Sequence, residues 1–164
     1  MTGEDIRPGA PCPLCAAPLA EQALRDVAGD ESPLRLTLRN LPVLACDASH
    51  RYFPGHDFPV WLLNALVEVE QKKIPAGSEK GLVFRKYACC DCGGEIPSSG
   101  GEPMTFSSTL DWEKTAPFVV DITVPVVTCP ACGRDQARSR AELAKLLPAA
   151  LVHAFKTAGL KGPR

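Results

Sequence analysis

Residues 41–50 read LPVLACDASH and residues 124–133 read VPVVTCPACG. Both carry Pro-Val-x-x-Cys and both lead into a helical segment. LLNALV at 62–67 answers LPAALV at 147–152, at offsets from the cysteine that differ by two residues. Upstream, Cys12-Pro13-Leu14-Cys15 answers Cys89-Cys90-Asp91-Cys92, with 30 residues between Cys15 and Cys46 and 36 between Cys92 and Cys129. The chain therefore reads as two copies of one unit, ordered Cys-x-x-Cys turn, hairpin, cysteine turn, helix. The copies differ at one place. The second has Cys132 three residues after Cys129, whereas the first has Ser49 three residues after Cys46.

A Cys-x-x-Cys pair in a tight turn aims two thiolates at one tetrahedral ion, and two such turns joined by a hairpin complete a four-cysteine zinc site. Cys89, Cys92, Cys129 and Cys132 have that spacing, and Gly93 and Gly133 follow the two pairs. Glycine accepts the positive φ with which such turns close. Cys90 is left over and reads as a small thiol outside the site. In the first copy Cys12, Cys15 and Cys46 supply three ligands, and His50, His56, Asp47 and Asp57 are the candidates for a fourth. His50 is the choice, because imidazole ligates zinc at a slightly shorter bond than sulfur and an extra residue in the loop would make room for the ring. An open three-cysteine site with water in fourth place, and His56 and Asp57 as proton carriers, would be a catalytic geometry. The chain holds no His-x-Glu followed by Pro-Cys-x-x-Cys and no His-Glu-x-x-His. The expected cofactor is Zn2+ at two structural sites, and no enzymatic activity is expected.

Around the cysteines the hydrophobic pattern alternates. Met104, Phe106, Ser108, Leu110 and Trp112 interleave with polar residues, and Phe118, Val120, Ile122, Val124 and Val126 do so more cleanly, which predicts the two strands of a hairpin. GLVFRKYAC at 81–89 reads as a further strand. In LRLTLRNLPVLAC, 34–46, the apolar positions are Leu34, Leu36 and Leu38, then Leu41 and Val43. A slip of phase at Arg39-Asn40 predicts a β-bulge. The expected fold is α+β: two tandem zinc-ribbon-like units, each a small antiparallel hairpin or sheet with metal knuckles followed by a helix.

The first helix is expected over 58–73, capped by Asp57 and ended before Pro75. One apolar stripe is Phe58, Trp61, Leu62, Ala65, Leu66 and Val69, and a second is Val60, Leu63, Val67 and Ile74. A helix apolar on two sides packs between the two units or, through 58–74, against another chain. The last helix opens on Ser139-Arg140-Ala141-Glu142, a capping-box signature. Leu143, Leu147, Leu151, Phe155 and Ala158 keep one phase through Pro148, predicting a kinked or two-piece helix that Gly159 stops. QKKIPAGSEKG at 71–81 is polar with Pro and Gly. The division drawn is 1–74 for the first unit, 75–81 for a linker and 82–164 for the second unit.

Eight cysteines in 164 residues need an explanation. The opening MTGEDIRPGAP lacks the apolar core of a signal peptide, and no run reaches the ~18 apolar residues of a membrane span. A cytoplasmic, reducing setting is expected, where paired cysteines serve metals more than disulfides. Net charge is −1, with +5 from Gly133 onward and −6 before it. A basic end is a weak hint of nucleic acid, and a solvated helix face accounts for it more simply.

Cys12-Pro13-x-Cys15, then Asn40-x-Pro42-Val43-x-x-Cys46, then a helix, resembles the YgiT-type zinc-finger family of bacterial proteins, which includes the zinc-binding half of the MqsA-type antitoxins. The resemblance covers residues 12 to about 50 and more loosely 89–134. It implies a zinc ribbon with Cys12, Cys15 and Cys46 as ligands, while the family's fourth cysteine is absent here. Those antitoxins also carry a helix-turn-helix domain, and no segment of this chain corresponds to one. The function expected is that of a macromolecular interaction module, with a protein as partner. Nucleic acid is the alternative, because such ribbons interleave Lys/Arg with exposed aromatics, whereas the strands here carry Asp111, Glu113 and Asp121. A zinc-dependent or thiol-redox enzyme is the competing class.

Overall fold

The two alternating stretches become neighbouring long strands in the computed structural model, which describes residues 6–81, 83–113 and 115–161. β1 (Ala20–Glu31) and β2 (Leu34–Ala45) form a hairpin with Ala20 opposite Ala45 and Glu31 opposite Leu34. β3 (Arg51–Tyr52) folds back on Leu44 and Ala45. A helical run begins with α1 (Phe58–Asn64). β4 (Ser78–Lys80), β5 (Lys86–Ala88) and β6 (Glu95–Ile96) make a small antiparallel sheet. β7 (Glu102–Leu110) and β8 (Phe118–Thr128) form the second long hairpin, and β9 (Asp135–Ala137) returns along the end of β8. After α2 (Arg140–Thr157), β10 (Leu160–Lys161) lies parallel to β3. The architecture is α+β with two sheets, antiparallel apart from that last short pair.

The two hairpins share one sheet. β2 pairs with β8 from Arg35 opposite Thr123 to Arg39 opposite Val119, giving the central order β1-β2-β8-β7. Leu34, Leu36 and Leu38 of β2 and Phe118, Val120 and Ile122 of β8 turn to one face, each 3 % exposed or less. There they meet Phe58, Leu62 and Leu66 of the first helical run and Leu147 and Leu151 of α2. Burying side chains of this size contributes about 1.5–3 kcal/mol apiece. This core draws on both halves of the sequence and contains no cysteine. Two small satellite clusters do: Cys12 and Cys46 with Leu19, Leu44 and Tyr52, and Cys89 and Cys129 with Ile96 and Val127.

The slip of phase in β2 is present, but no residue is inserted. The register with β1 is the same on both sides of Arg39-Asn40. Instead Asn40 takes a left-handed backbone, φ 62°, so Leu36 and Leu38 before it and Leu41 and Val43 after it all point inward. Asparagine tolerates that conformation better than most residues, so one left-handed residue replaces the expected bulge.

The first helical run also departs from expectation. Asp57 lies in helical backbone and makes no side-chain cap. The run is α-helical only to Asn64, continues as π-helix over Ala65–Glu70 and closes as a 3-10 turn over Gln71–Lys73. Buried positions recur every fourth residue, at Phe58, Leu62, Leu66 and Glu70. In an α-helix that spacing drifts around the axis, and the wider π turn brings it back. Val60 and Val69, from the two apolar stripes, are 61 % and 49 % exposed.

α2 starts on Ser139, whose hydroxyl accepts from the Glu142 N–H at 3.1 Å, and passes Pro148 in one piece rather than two. Gly159 ends it with φ 69°. β1 crosses α2 at Gly29, where a Cβ would strike the Ala150 carbonyl and lie 2.7 Å from the Ala154 nitrogen. Residues 75–81 are tied in: Pro75 and Gly77 exchange backbone hydrogen bonds with Ala137, and the Arg140 N–H bonds to the Gly77 carbonyl. The Arg140 guanidinium donates to the carbonyls of Gln71 and Ile74, closing the end of the first helical run. Arg140→Ala strands these acceptors at a cost of about 1–3 kcal/mol, readable as a lower midpoint in urea unfolding.

Candidate metal centres

Three of the four cysteine turns sit between consecutive strands, and the Cys12 turn is bracketed by an isolated bridge between Pro11 and Pro18. Cys89 lies between β5 and β6, and Cys129 between β8 and β9. The Cys89 N–H bonds to the Gly94 carbonyl at 2.7 Å, and the Gly93 N–H returns to the Cys89 carbonyl at 3.1 Å. The Cys129 turn repeats the pattern with Arg134 and Gly133 at 3.0 and 2.8 Å. Gly93 and Gly133 are left-handed, φ 75° and 77°. The four sulfurs converge, with Cys89 Sγ 3.5 Å from Cys132 Sγ and Cys92 Sγ 3.6 Å from Cys129 Sγ.

The first Cys-x-x-Cys turn has the same form. The Cys12 N–H bonds to the Ala17 carbonyl and the Ala16 N–H to the Cys12 carbonyl, with Ala16 in the glycine place at φ 63°. The Cys46 turn is different. Its closing bonds are Cys46 N–H to the His50 carbonyl, 3.2 Å, and Ser49 N–H to the Cys46 carbonyl, 2.9 Å. Ser49 is the left-handed residue, φ 63°. This is a three-residue loop where the other turns have four, closed by a left-handed residue as such loops commonly are. Ser49 therefore matches Gly133, not Cys132, and His50 matches Arg134. The position missing from the first copy is that of the second cysteine itself. The extra residue between the two ligands Cys46 and His50 is present, but the hydrogen-bonded turn itself is one residue shorter, so His50 lies past it. The imidazole reaches the centre from the residue just past the turn, immediately before β3.

Reach it does. His50 Nδ1 lies 3.5 Å from Cys12 Sγ and 3.4 Å from Cys46 Sγ, and Cys15 Sγ is 3.5 Å from Cys46 Sγ. In both clusters all four ligand atoms lie within 4.8 Å of one another. A tetrahedral ion with bonds of about 2.3 Å to sulfur and 2.0–2.1 Å to nitrogen spaces its ligand atoms about 3.5–3.8 Å apart. Both donor sets therefore fit a tetrahedral, thiophilic ion. Asp47, His56 and Asp57 are exposed and stand outside these clusters. Cys90 is also exposed and points its backbone N–H at Gln136 Oε1, 2.8 Å away.

The surrounding hydrogen bonds favour anionic sulfur. Cys89 is drawn down to about 6, first by the Cys92 backbone N–H and then by the Gln136 side chain. Gln136 is fully buried and places Nε2 3.1 Å from the Cys89 sulfur. Burial pushes Cys12 up, but the Tyr52 hydroxyl at 3.3 Å and the N–H groups of Leu14 and Cys15 outweigh it and bring it to about 6. Tyr52 is itself pushed up, by burial and by the Cys12 sulfur. The remaining shifted thiols move the other way. Cys132 is held down by the Arg134 N–H, yet burial and the thiols of Cys89, Cys92 and Cys129 carry it to about 12. Cys15 and Cys92 also rise; the N–H groups of Ala17 and Gly94 are their largest single influences, and burial and neighbouring thiols overcome them. Cys12 and Cys89 thus ionise more readily than an ordinary thiol, and Cys15, Cys92 and Cys132 less readily. A bound cation would offset the rise at Cys15, Cys92 and Cys132 and favour their thiolates.

Gln136 and Tyr52 were not singled out by spacing. Gln136 sits in the polar run Arg134-Asp135-Gln136-Ala137-Arg138 and carries no signal of its burial, while Tyr52 is indistinguishable from a core aromatic. Replacing His50 with Ala should lower bound metal by one ion per chain. Inserting one cysteine between Ala48 and Ser49 of that variant should restore it, by returning the turn to four residues. Metal analysis of the purified variants reads both outcomes. No family model matches the chain, and neither a curated protein nor a solved structure matches it, so what the clusters do rests on their own geometry.

Proposed function

We propose that this chain is a zinc protein whose two closed, structural sites hold a scaffold that binds another protein. The observation that supports structural zinc is the full set of four ligand atoms in each cluster, with Gln136 and Tyr52 as outer partners. A catalytic zinc site keeps one position for water or substrate. Asn40, one of the residues that carries the resemblance to YgiT-type ribbons, is the left-handed residue of β2, which supports kinship in a structural rather than a catalytic feature. The reading places the protein in a reducing compartment such as the cytoplasm and assigns it no reaction.

The interaction role rests on the β4–β5 connection. Val83 and Phe84 stand 83 % and 80 % exposed, beside exposed Lys80, Arg85 and Lys86. Large adjacent apolar side chains held in water mark contact sites more often than neutral surface. β5 runs directly into Cys89, so the second metal site steadies the base of this projection. A tagged chain and its Val83→Ser/Phe84→Ser variant, recovered from their own cells, test the idea. The reading expects co-purifying proteins to be lost with the variant while its metal content is kept; an unchanged set of proteins would refute it.

A second reading has one observation in its favour. Phe84 and Tyr87 alternate with Lys80, Arg85 and Lys86, the mixture of cations and aromatics that single-stranded nucleic acids use. Binding to single-stranded DNA or RNA that weakens steeply with salt would favour it.

A further inference from the structure

Among the described residues, the two long edge strands of the main sheet, β1 and β7, are of opposite character. β1 carries Glu21, Arg25, Asp26, Asp30 and Glu31, a predominantly acidic edge of the kind that keeps other strands away. β7 has Glu102 at its start and then no charge from Pro103 to Leu110. It pairs with β8 on one side, and among the described residues nothing pairs with its other side. Its core-facing residues are unfinished too. Met104 and Phe106 lie opposite Val124 and Ile122. Those two valine and isoleucine side chains are 3 % exposed, whereas Met104 is 43 % exposed and Phe106 half-buried.

From this contrast we infer that β7 is the contact through which two copies of the chain pair, edge to edge and antiparallel. An isologous two-fold contact must be complementary to itself, and a strand without charges opposes no like charges. The register follows from the strand. Its midpoint is Phe106, and a two-fold axis there pairs all nine residues from Glu102 to Leu110. It also keeps Met104, Phe106, Ser108 and Leu110 on the core side in both copies, which a shift by one residue would not. Thr105 then faces Ser107 of the partner subunit, Met104 faces the partner's Ser108, and the two Phe106 rings meet. The free backbone groups of β7 gain partners, and the row of apolar side chains on the inner face continues across the axis. An interface this small makes association concentration-dependent rather than obligate. A second copy suits this edge better than a charged strand, since nothing on β7 selects for charge. The inference does not depend on the proposed function.

Sedimentation equilibrium of the metal-loaded chain over a wide concentration range tests it, with two double variants. The wild-type weight-average mass should climb from 17.5 kDa toward twice that value. Thr105→Lys/Ser107→Lys sets like charges opposite each other across the axis twice and should stay at the mass of one chain throughout. Thr105→Glu/Ser107→Lys sets opposite charges there and should dimerise again. All four substituted side chains point to the solvent face, and matching thermal melts confirm folding. A wild type that stays monomeric overturns the inference. So does a double-lysine variant that dimerises like the wild type, or a charge-paired variant that fails to.

Discussion

Cys129→Ala is expected to lose one metal ion and to unravel one end of the molecule while the main sheet survives. In isolated zinc modules the ion supplies on the order of 10 kcal/mol of folding free energy, as much as the whole stability of many domains. Around Cys129 little else holds the chain. β4, β5 and β6 are two or three residues long, and the local cluster is Cys89, Cys129, Ile96 and Val127 with Tyr87 beside it. The shared core of β2, β8 and the helices contains none of these residues. Hydrogen exchange separates the two regions. Amides of β5, β6 and the Cys89 turn should lose protection in the variant, while those of Leu36, Leu38, Val120 and Ile122 keep it. Equal loss in both regions would mean that the core depends on the ion, and loss in neither would mean that the cluster holds no metal of consequence.

Gly29→Val should destabilise the fold strongly. The glycine lets β1 lie against α2 with no side chain between them. A Cβ there would strike the Ala150 carbonyl and come 2.8 Å from the Ala154 Cβ. Both partners belong to a helix whose Ala150 and Ala154 are fully buried, so the helix or the strand must move as a body. Overpacking of this kind costs about 1–3 kcal/mol and at times more, or a fall of about 2–4 °C in Tm per kcal/mol in a chain of this size. A melting scan beside Ala28→Val checks it. The half-buried face of Ala28 should tolerate the larger side chain, and an equal loss in both variants would show that close approach to α2 is not the cause.

How much of this was legible in the sequence differs from element to element. The alternation in 118–126 and the Cys-x-x-Cys-Gly turns announce β8 and the second cluster directly, because spacing and turn chemistry are local properties. The assembly of the hairpins is not local. Nothing in the pattern of β2 says that Arg35–Arg39 will pair with Val119–Thr123, so the single sheet and common core emerge only in three dimensions. Asn40 shows a middle case: the phase slip is written in the leucines, but a bulge and a left-handed residue produce the same slip. The helix at 58–73 misleads for a similar reason. Buried residues every four positions drift around an α-helix, so the sequence shows two stripes where the structure has one stripe and a π turn.

At LPVLACDASH the spacing of the cysteines and the geometry of the turn differ by one position. Comparing Ser49 with Cys132 makes the first copy look like a site that lost a cysteine. The hydrogen bonds show a turn that lost a residue, and the histidine just before β3 brings its ring nitrogen to the sulfurs. Counting metal ions per chain in the freshly purified protein by native mass spectrometry tests this account most directly. Two ions are predicted for the wild type and one for His50→Ala. A wild-type chain that carries a single ion, or a His50→Ala chain that keeps two, would contradict it.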